Sequence, residues 1–401
     1  MEKLNVYINK KAEARVLNNH PWVFTSDITK TDENIKNGDI VTVRNNKDKF
    51  LGSAFYNNNS KIVLRIISRN ANDTFDYDFF KRRIEYALSY RMKVMPNDLN
   101  AFRLIYGEAD FLSGLTVDKF NDVLVCQILS LGIDIRKDII LKALYDVVSK
   151  YFKIRGIYLR CDVALREKEG LEEYVGWYDK IPVISQETTT EIVENGLKYL
   201  VDFKEGQKTG FFLDQKYNRL TIRNLAKDMT VLDCCTHTGS FAMNAALGGA
   251  KKVMALDISQ KALLDAKKNF WLNDLNIDTY CADLFDYLRK LVDSKNKEYN
   301  LIILDPPAFT KSKDTIKSAL KGYQEINYLA MKALPRGGYL ATASCSHYAS
   351  EEDFIRAIFN ASIMAGVSLR VVKKSYAAPD HPEVMGIPET KYLKFFIFQV
   401  V

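Results

Sequence analysis

The stretch VLDCCTHTGSF, residues 231–241, decides the fold of this chain. It predicts a strand over Thr230–Cys234, a turn containing Gly239, and the start of a helix. A dinucleotide-binding turn needs the pattern G-x-G-x-x-G, because its backbone must close around a pyrophosphate. Gly239 is the one glycine of this turn. The stretch therefore disfavours NAD and favours a cofactor without phosphates, such as S-adenosylmethionine (SAM).

Strand patterns and helical patterns alternate from about residue 205 to the end of the chain. Such alternation predicts an α/β fold with a parallel, doubly wound sheet, whose ligands bind at the carboxyl ends of the strands. The predicted strands are Thr230–Cys234, Lys252–Leu256, Asp278–Cys281, Tyr299–Leu304, Gly338–Ser344, Ser368–Lys374 and Tyr392–Val400.

Three acids lie at the ends of three successive predicted strands, namely Asp233, Asp257 and Asp283. Asp257 is placed to accept hydrogen bonds from ribose hydroxyls, and Asp283 from an adenine amino group. The alternative for Asp233 and Asp283 is helix capping, a role in which aspartate is favoured. A metal site at Cys234, Cys235 and His237 is disfavoured, because adjacent cysteines rarely reach one tetrahedral ion.

The fourth strand ends in the loop Asp305-Pro306-Pro307-Ala308-Phe309. Its two prolines remove backbone donors and fix the chain, leaving rigid carbonyls beside an acid and a ring. Such a loop is suited to holding a flat base by stacking and by accepting its amino hydrogens. The fifth strand leads into Cys345, which is either a core thiol or a nucleophile. The nearby acids Glu351–Asp353 leave the group that activates this thiol unassigned.

The remaining zones are smaller and bear less obvious chemistry. Residues 1 to about 72 predict short strands, and residues 1–73 hold twelve basic and eight acidic residues. Residues 75–190 predict a mixed α+β unit, followed by a hairpin around Asn195-Gly196. The net charge of +7 permits a polyanionic partner such as RNA. No membrane span, disulfide framework or signal peptide is indicated, so a cytoplasmic location is expected.

Five motifs, in this order, resemble the bacterial RlmI-type 23S rRNA methyltransferases. They are EGQKTGFFLDQKYNR, VLDCCTHTGSF, LDPPAFTKSK, GGYLATASCSHY and DHPEVMGIPETKYLKFF. NNHPWVF, NGDIVTV and GSAFYNNNS are similar to the PUA domain of that family, and FRLIYGEADFLSGLTVDKF to its central domain. The resemblance implies a PUA-like RNA-binding domain (1–72), a central α+β domain (75–190) and a Rossmann-like class I SAM-dependent methyltransferase domain with an N-terminal hairpin (191–401).

The resemblance also implies an activity, methylation of cytosine C5 in 23S rRNA. By the resemblance, Cys345 is the catalytic nucleophile, and Asp305 acts with Pro306, Pro307 and Phe309 on the base. The cofactor residues it implies are, together with the three acids, Lys208, Thr209, Gln215, Thr238 and Gly239. No residue is assigned to remove the C5 proton, and Asp380-His381 is expected to be a structural pair.

Two other functions stay open at this point. The chain could be an rRNA guanine N-methyltransferase, which needs no cysteine nucleophile, or an inactive RNA-binding factor for ribosome assembly. The expected partner is 23S rRNA, with a homodimer left open and no membrane.

Overall fold

The computed structural model describes residues 4–295, 297–310 and 312–401. They form two compact units, each assembled from separate stretches of the chain. The first contains the chain up to Ile192 with Val201–Leu213 and Pro379–Thr390, and the second contains Val193–Leu200, Asp214–Ala378 and Lys391–Val401. Among the described residues, no helix has both the length and the apolar character needed to cross a bilayer.

The first unit begins with a six-stranded sheet in the order β2-β6-β5-β4-β1-β3. The strands are β1 (Asn5–Ile8), β2 (Trp22–Phe24), β3 (Ile28–Thr31), β4 (Ile40–Asn45), β5 (Phe50–Tyr56) and β6 (Ile62–Ser68). A helix that the sequence did not indicate, α1 (Lys10–Leu17), begins where the Asn9 side chain accepts a hydrogen bond from the Ala12 amide. Its buried residues join the core of this sheet, since burial of apolar surface is the main stabilising contribution.

A five-stranded sheet in the order β11-β10-β9-β8-β7 follows in the same unit. Its strands are β7 (Ala101–Tyr106), β8 (Leu115–Phe120), β9 (Val123–Ile128), β10 (Gly156–Cys161) and β11 (Tyr174–Trp177), and its helices are α2 (Tyr77–Val94), α3 (Leu131–Ile135) and α4 (Lys137–Val148). The N-cap of α2 is Asp76, whose side chain accepts a hydrogen bond from the Phe79 amide. The α+β character predicted for this zone is therefore present.

The predicted hairpin is formed by β12 (Thr189–Glu194) and β13 (Leu197–Asp202). Asn195 and Gly196 both have positive φ, at 51° and 75°. This pair of left-handed residues is what a two-residue type I′ turn requires.

The second unit contains a seven-stranded sheet in the order β16-β15-β14-β17-β18-β20-β19. Its strands are β14 (Thr230–Cys234), β15 (Lys252–Asp257), β16 (Asp278–Cys281), β17 (Leu301–Leu304), β18 (Tyr339–Ser344), β19 (Leu369–Ser375) and β20 (Lys394–Val400). The helices are α5 (Lys216–Leu225), α6 (Ser240–Leu247), α7 (Gln260–Leu272), α8 (Leu284–Asp293), α9 (Ile316–Ala333) and α10 (Glu351–Ala365). The doubly wound α/β prediction is confirmed with one difference: β20 runs antiparallel to both of its neighbours.

A buried ion pair fixes α5 within this second unit. The Arg219 guanidinium donates to both carboxylate oxygens of Glu194, over 2.6 and 2.8 Å. Both side chains are almost fully buried. A bidentate pair in this setting gives α5 a defined orientation, since two parallel bonds allow little rotation.

Candidate functional site

The carboxyl ends of the parallel strands bring most of the predicted site residues to one edge of the sheet. Asp233 and Asp257 lie at the ends of β14 and β15, and Asp305 and Cys345 directly follow β17 and β18. Asp283 lies two residues beyond β16. These strands are hydrogen-bonded in parallel register. Ligands of open α/β sheets bind at this edge.

Asp233 holds the loop that follows β14. Its Oδ2 accepts from the Thr236 hydroxyl at 2.6 Å and from the Ala242 amide, in the first turn of α6, at 2.9 Å. The carboxyl is fully buried, and its Oδ1 has no hydrogen-bond partner in the described part of the chain. Burial raises the pKa of Asp233 to about 7, with the two hydrogen bonds opposing this shift. The structure thus places Asp233 against the loop and the helix start.

The loop closes tightly at Gly239, which has a φ of 80°. A Cβ at this position would lie 2.3 Å from Cε1 of Phe270. The preceding carbonyl, that of Thr238, accepts from the Asn269 amide group at 3.0 Å. Because α7 packs directly against this turn, only glycine allows the backbone to pass here.

Asp257 and Asp283 each use oxygen atoms to order the backbone around them. Asp257 accepts from the amides of His237 and Ser259, each at 2.9 Å. Asp283 is the N-cap of α8, the capping role considered from the sequence, and accepts from Phe285 N at 2.8 Å.

The four acids of this edge raise the pKa of one half-buried thiol, that of Cys235. Burial raises the pKa of Cys235, and the charges of Asp257, Asp305, Asp233 and Asp283 raise it further. The edge therefore concentrates negative charge and hydrogen-bond acceptors. These carboxylates fit SAM, whose ribose hydroxyls and ammonium donate hydrogen bonds and whose sulfonium is positively charged. Among the described residues, no group of three or more histidine, cysteine or acidic side chains is arranged to hold a metal ion.

The predicted cofactor residues Lys208 and Thr209 belong to the first unit. Thr209 is fully buried, and its hydroxyl donates to Asp118 at 2.5 Å. The Lys208 ammonium lies 4.5 Å from the centre of the Phe212 ring. Their role at the cofactor stays a prediction.

Gln215 belongs to the second unit, where its amide donates to Oδ1 of Asp305 at 3.0 Å. Its own carbonyl oxygen accepts from Asn218 at 2.6 Å. The sequence linked Gln215 to the cofactor, and the structure links it directly to the loop after β17. A carboxylate held in this way has a fixed orientation.

The proline loop is packed on one side by aromatic rings. Pro306 is buried and Pro307 is exposed. The Phe309 ring is 4.6 Å from the ring of Tyr323 and 6.2 Å from that of Phe285, centre to centre. Tyr323 also accepts from the Ser344 hydroxyl at 3.1 Å, so it connects this loop to β18. Phe309 is thus a supported ring on the wall of the site.

Cys345 is half-buried, and no disulfide involves it. Its neighbour in the next strand is Lys394, which the sequence reasoning missed. Ser344 pairs with Lys394 in the β18–β20 register. The Lys394 ammonium donates to the carbonyls of Ser346 and Ala349, at 2.6 and 2.8 Å. It therefore spans the segment that carries Cys345.

Lys394 is almost fully buried and forms no ion pair within the described residues. Burial lowers the pKa of Lys394 to about 8, and the proximity of Cys345 opposes this shift. The amine is therefore largely charged at neutral pH, yet close to its titration. The only indication of this buried lysine in the sequence is its position at the start of the apolar run KFFIFQV, residues 394–400.

The two histidines that follow Cys345 in the sequence, His347 and His381, have different environments. His347 is exposed, and its ring centre lies 5.1 Å from that of Tyr392. His381 belongs to the first unit, where its Nδ1 is 2.8 Å from the buried carboxylate of Asp380. Asp380 in turn accepts from the Arg103 amide at 2.9 Å, a structural arrangement.

Comparisons with known proteins agree with this architecture. Residues 6–69 match a PUA-like domain, and residues 172–397 match the S-adenosylmethionine-dependent methyltransferase family. The ribosomal RNA large subunit methyltransferase I of Pseudoalteromonas atlantica is 38% identical, with 99% of each chain covered. The protein of that name from Klebsiella pneumoniae is 36% identical, covering 98% of this chain and 97% of its own.

Solved structures show the same fold at lower identity. A methyltransferase in complex with SAH has a TM-score of 0.84 at 22% identity, covering 99% of this chain and 100% of its own. A SAM-dependent methyltransferase from Streptococcus mutans has a TM-score of 0.82 at 21% identity, with the same coverage.

Proposed function

The chain belongs to the S-adenosylmethionine-dependent methyltransferases, among the relatives of ribosomal RNA large subunit methyltransferase I, and on this premise we propose that it methylates C5 of a cytosine in 23S rRNA. The observation that carries the proposal is the half-buried Cys345, directly after β18 on a segment held by Lys394. An exocyclic nitrogen needs no such nucleophile, whereas C5 of cytosine is a poor attacker until C6 is substituted.

The cofactor role rests on the acids and the glycine turn. SAM, when bound, supplies the methyl group on a sulfonium. Asp257 would accept hydrogen bonds from the ribose hydroxyls, and Asp283 would accept from the adenine amino group. Gly239 permits the close approach of the backbone, and Asp233 keeps the loop in place. Lys208, Thr209 and Gln215 complete the set of cofactor residues that we propose.

Cys345 starts the chemistry, as a thiolate that adds to C6 of the base. This addition places electron density at C5, which becomes the nucleophile for methylation. Asp305, oriented by Gln215, and the rigid carbonyls of Pro306 and Pro307 hold the amino edge of the base. A base then takes the proton from C5, the C5–C6 double bond re-forms, and the bond between C6 and Sγ of Cys345 breaks to release the thiolate. Phe309 lines the wall against which the base lies.

Lys394 is proposed as a positioning residue for this nucleophile. Its two hydrogen bonds to the Ser346 and Ala349 carbonyls fix the turn after β18. An ammonium beside a thiol also favours the thiolate, which is the reactive form. Replacing Lys394 by Met is expected to slow alkylation of Cys345 by iodoacetamide near neutral pH. Equal rates in the two proteins would remove Lys394 from the mechanism.

The test of the function is mass spectrometry of nucleosides from 23S rRNA incubated with the protein and SAM. Formation of 5-methylcytidine is expected with the native chain and not with Cys345→Ala. Cys281→Ala is the matched control, since Cys281 is an exposed thiol in the same unit. RNA containing 5-fluorocytosine should trap a covalent adduct that Cys345→Ser lacks. Methylguanosine formed equally by Cys345→Ala would contradict the proposal, and failure to bind SAM would favour an inactive assembly factor.

A further inference from the structure

A small cavity lies in the first unit, which does not contain Cys345. Its volume is about 150 Å³, and its walls come from the end of β6, from α2 and from the turn after β7. Asn19 and Pro21, after α1, complete it. An engineered cavity of about this volume holds one benzene ring, whereas pockets for whole cofactors measure about 300–1,000 Å³. The cavity is therefore suited to one flat ring.

Two arginines that line this cavity have no carboxylate partner among the described residues. Arg69 donates to the Val16 carbonyl at 3.3 Å, and Arg83 donates to the Ile67 carbonyl at 3.2 Å. The Nε of Arg83 is buried and has no hydrogen-bond partner in the described part of the chain. Neighbouring arginines are paired: Arg65 lies 2.7 Å from Glu169, and Arg82 lies 3.2 Å from Asp73.

One acid, Glu108, also lines the cavity, and its Oε1 is already engaged with protein donors. Its Oε1 accepts from the Trp22 indole at 3.0 Å and from the Ser113 hydroxyl at 2.6 Å. The same oxygen lies 3.6 Å from Arg65. The positive charges of Arg69 and Arg83 therefore remain without a compensating ion pair, which makes the cavity suited to an anion.

An aromatic ring completes the wall. Phe111 has a left-handed backbone, with a φ of 58°, and its side chain is 40% exposed. Its ring centre lies 5.2 Å from the Arg83 guanidinium, and the Phe79 ring lies 5.3 Å from the same group. Arg83 is thereby held near both rings. A bulky residue with positive φ is uncommon, and an exposed ring beside unpaired cations is the usual platform for an unstacked base.

We propose that this cavity binds one unstacked nucleotide of a single-stranded segment of the RNA substrate. The base lies against Phe111, and the flanking phosphate lies on Arg69 and Arg83. The proposal rests on the proposed function in so far as RNA is the substrate. It adds a second point of RNA contact, in the unit that does not contain Cys345.

The test measures binding of the full-length protein to a fluorescently labelled single-stranded RNA and to its duplex, by anisotropy over a range of salt concentrations. The variant Arg69→Gln/Arg83→Gln should reduce the slope of log affinity against log salt by at least about 0.7, the value for one phosphate of a single strand. Phe111→Leu should weaken single-strand binding by about fivefold or more, from the lower end of measured base stacking, and leave duplex binding unchanged.

Arg82→Gln is the matched control, since Arg82 is one position from Arg83, half-exposed and already paired. It should bind like the native chain. An unchanged salt slope in the double arginine variant, or an equal loss for single strand and duplex in Phe111→Leu, would overturn the proposal. Circular dichroism and SAM binding check that each variant is folded. If these variants bind RNA normally while 5-methylcytidine still forms, the cavity proposal fails alone; if no 5-methylcytidine forms with the native chain, the proposed function fails.

Discussion

Replacing Lys394 by Met should change how the stability of the protein depends on pH. Burial lowers the pKa of this amine from 10.5 to about 8. Between these two values the unfolded chain holds a proton that the folded chain has released, so the free energy of unfolding rises with pH in this window. Above the unfolded-state pKa, this lowering of the Lys394 pKa corresponds to about 3 kcal/mol in the free energy of unfolding. Lys394→Met lacks this contribution at every pH.

The assay is urea unfolding of the native chain and of Lys394→Met at about pH 7.5 and about pH 10. Over that interval the linkage relation changes the difference in unfolding free energy by about 2 kcal/mol, in favour of the native chain at the higher pH. Buried groups such as Cys234 and Tyr323, whose pKa values are raised by burial, titrate nearby with the opposite sign. They affect both proteins alike and cancel in the difference.

Lys268→Met is the control, since Lys268 is exposed, paired with Asp265 and located in the same unit. Its difference from the native chain should stay nearly constant over the same interval. Parallel pH curves for the native chain and Lys394→Met would refute the reasoning, because the amine would then have an ordinary pKa in the folded state and could not be the buried cation described here.

Three further outcomes are expected from single substitutions. Gly239→Ala places a Cβ 2.3 Å from Phe270 and should lower the free energy of unfolding by at least about 2 kcal/mol. It should also weaken SAM binding measured by calorimetry, and unchanged binding would contradict the tight turn. Glu194→Gln leaves the buried Arg219 guanidinium without its charge partner and should cost about 3–5 kcal/mol in urea unfolding, whereas the effect of an exposed pair would stay below about 1 kcal/mol. Asp305→Asn should lower kcat roughly 100-fold or more at nearly constant SAM affinity, and a loss of SAM affinity alone would place Asp305 at the cofactor.

Much of the second unit was predictable because its strands end at polar residues. β14 and β16 begin and end where the sequence predicts, since Asp233 and Asp283 mark the change from an apolar run to a helix start. The direction of β20 was not predictable, because an apolar run has the same pattern in a parallel and in an antiparallel strand. α1 was missed because its eight residues alternate charges with alanines and lack a long apolar period.

The sequence predicted which strand ends form the site, but it did not predict the contacts that their side chains make. The sequence brought Asp305 and Cys345 to one edge, because parallel strands share a direction. The sequence could not show that Lys394 faces the turn after β18. The two segments are far apart along the chain, so their contact leaves no local pattern. The resemblance implies a cofactor role for Thr209, which stays a prediction, and no local pattern indicated that its hydroxyl is bonded to Asp118.

The position of β20 has a consequence for how the protein is made. This strand follows both of its sheet neighbours in sequence, yet it lies between them. During synthesis, β18 and β19 leave the ribosome first, and β19 has no neighbouring strand in this sheet until β20 is inserted between it and β18. The sheet is therefore completed late, and Lys394 reaches the turn of Cys345 in that same step. A nascent chain that stops short of residue 394 holds the thiol without the ammonium that orders it, so the reactive centre forms only once the sheet is whole.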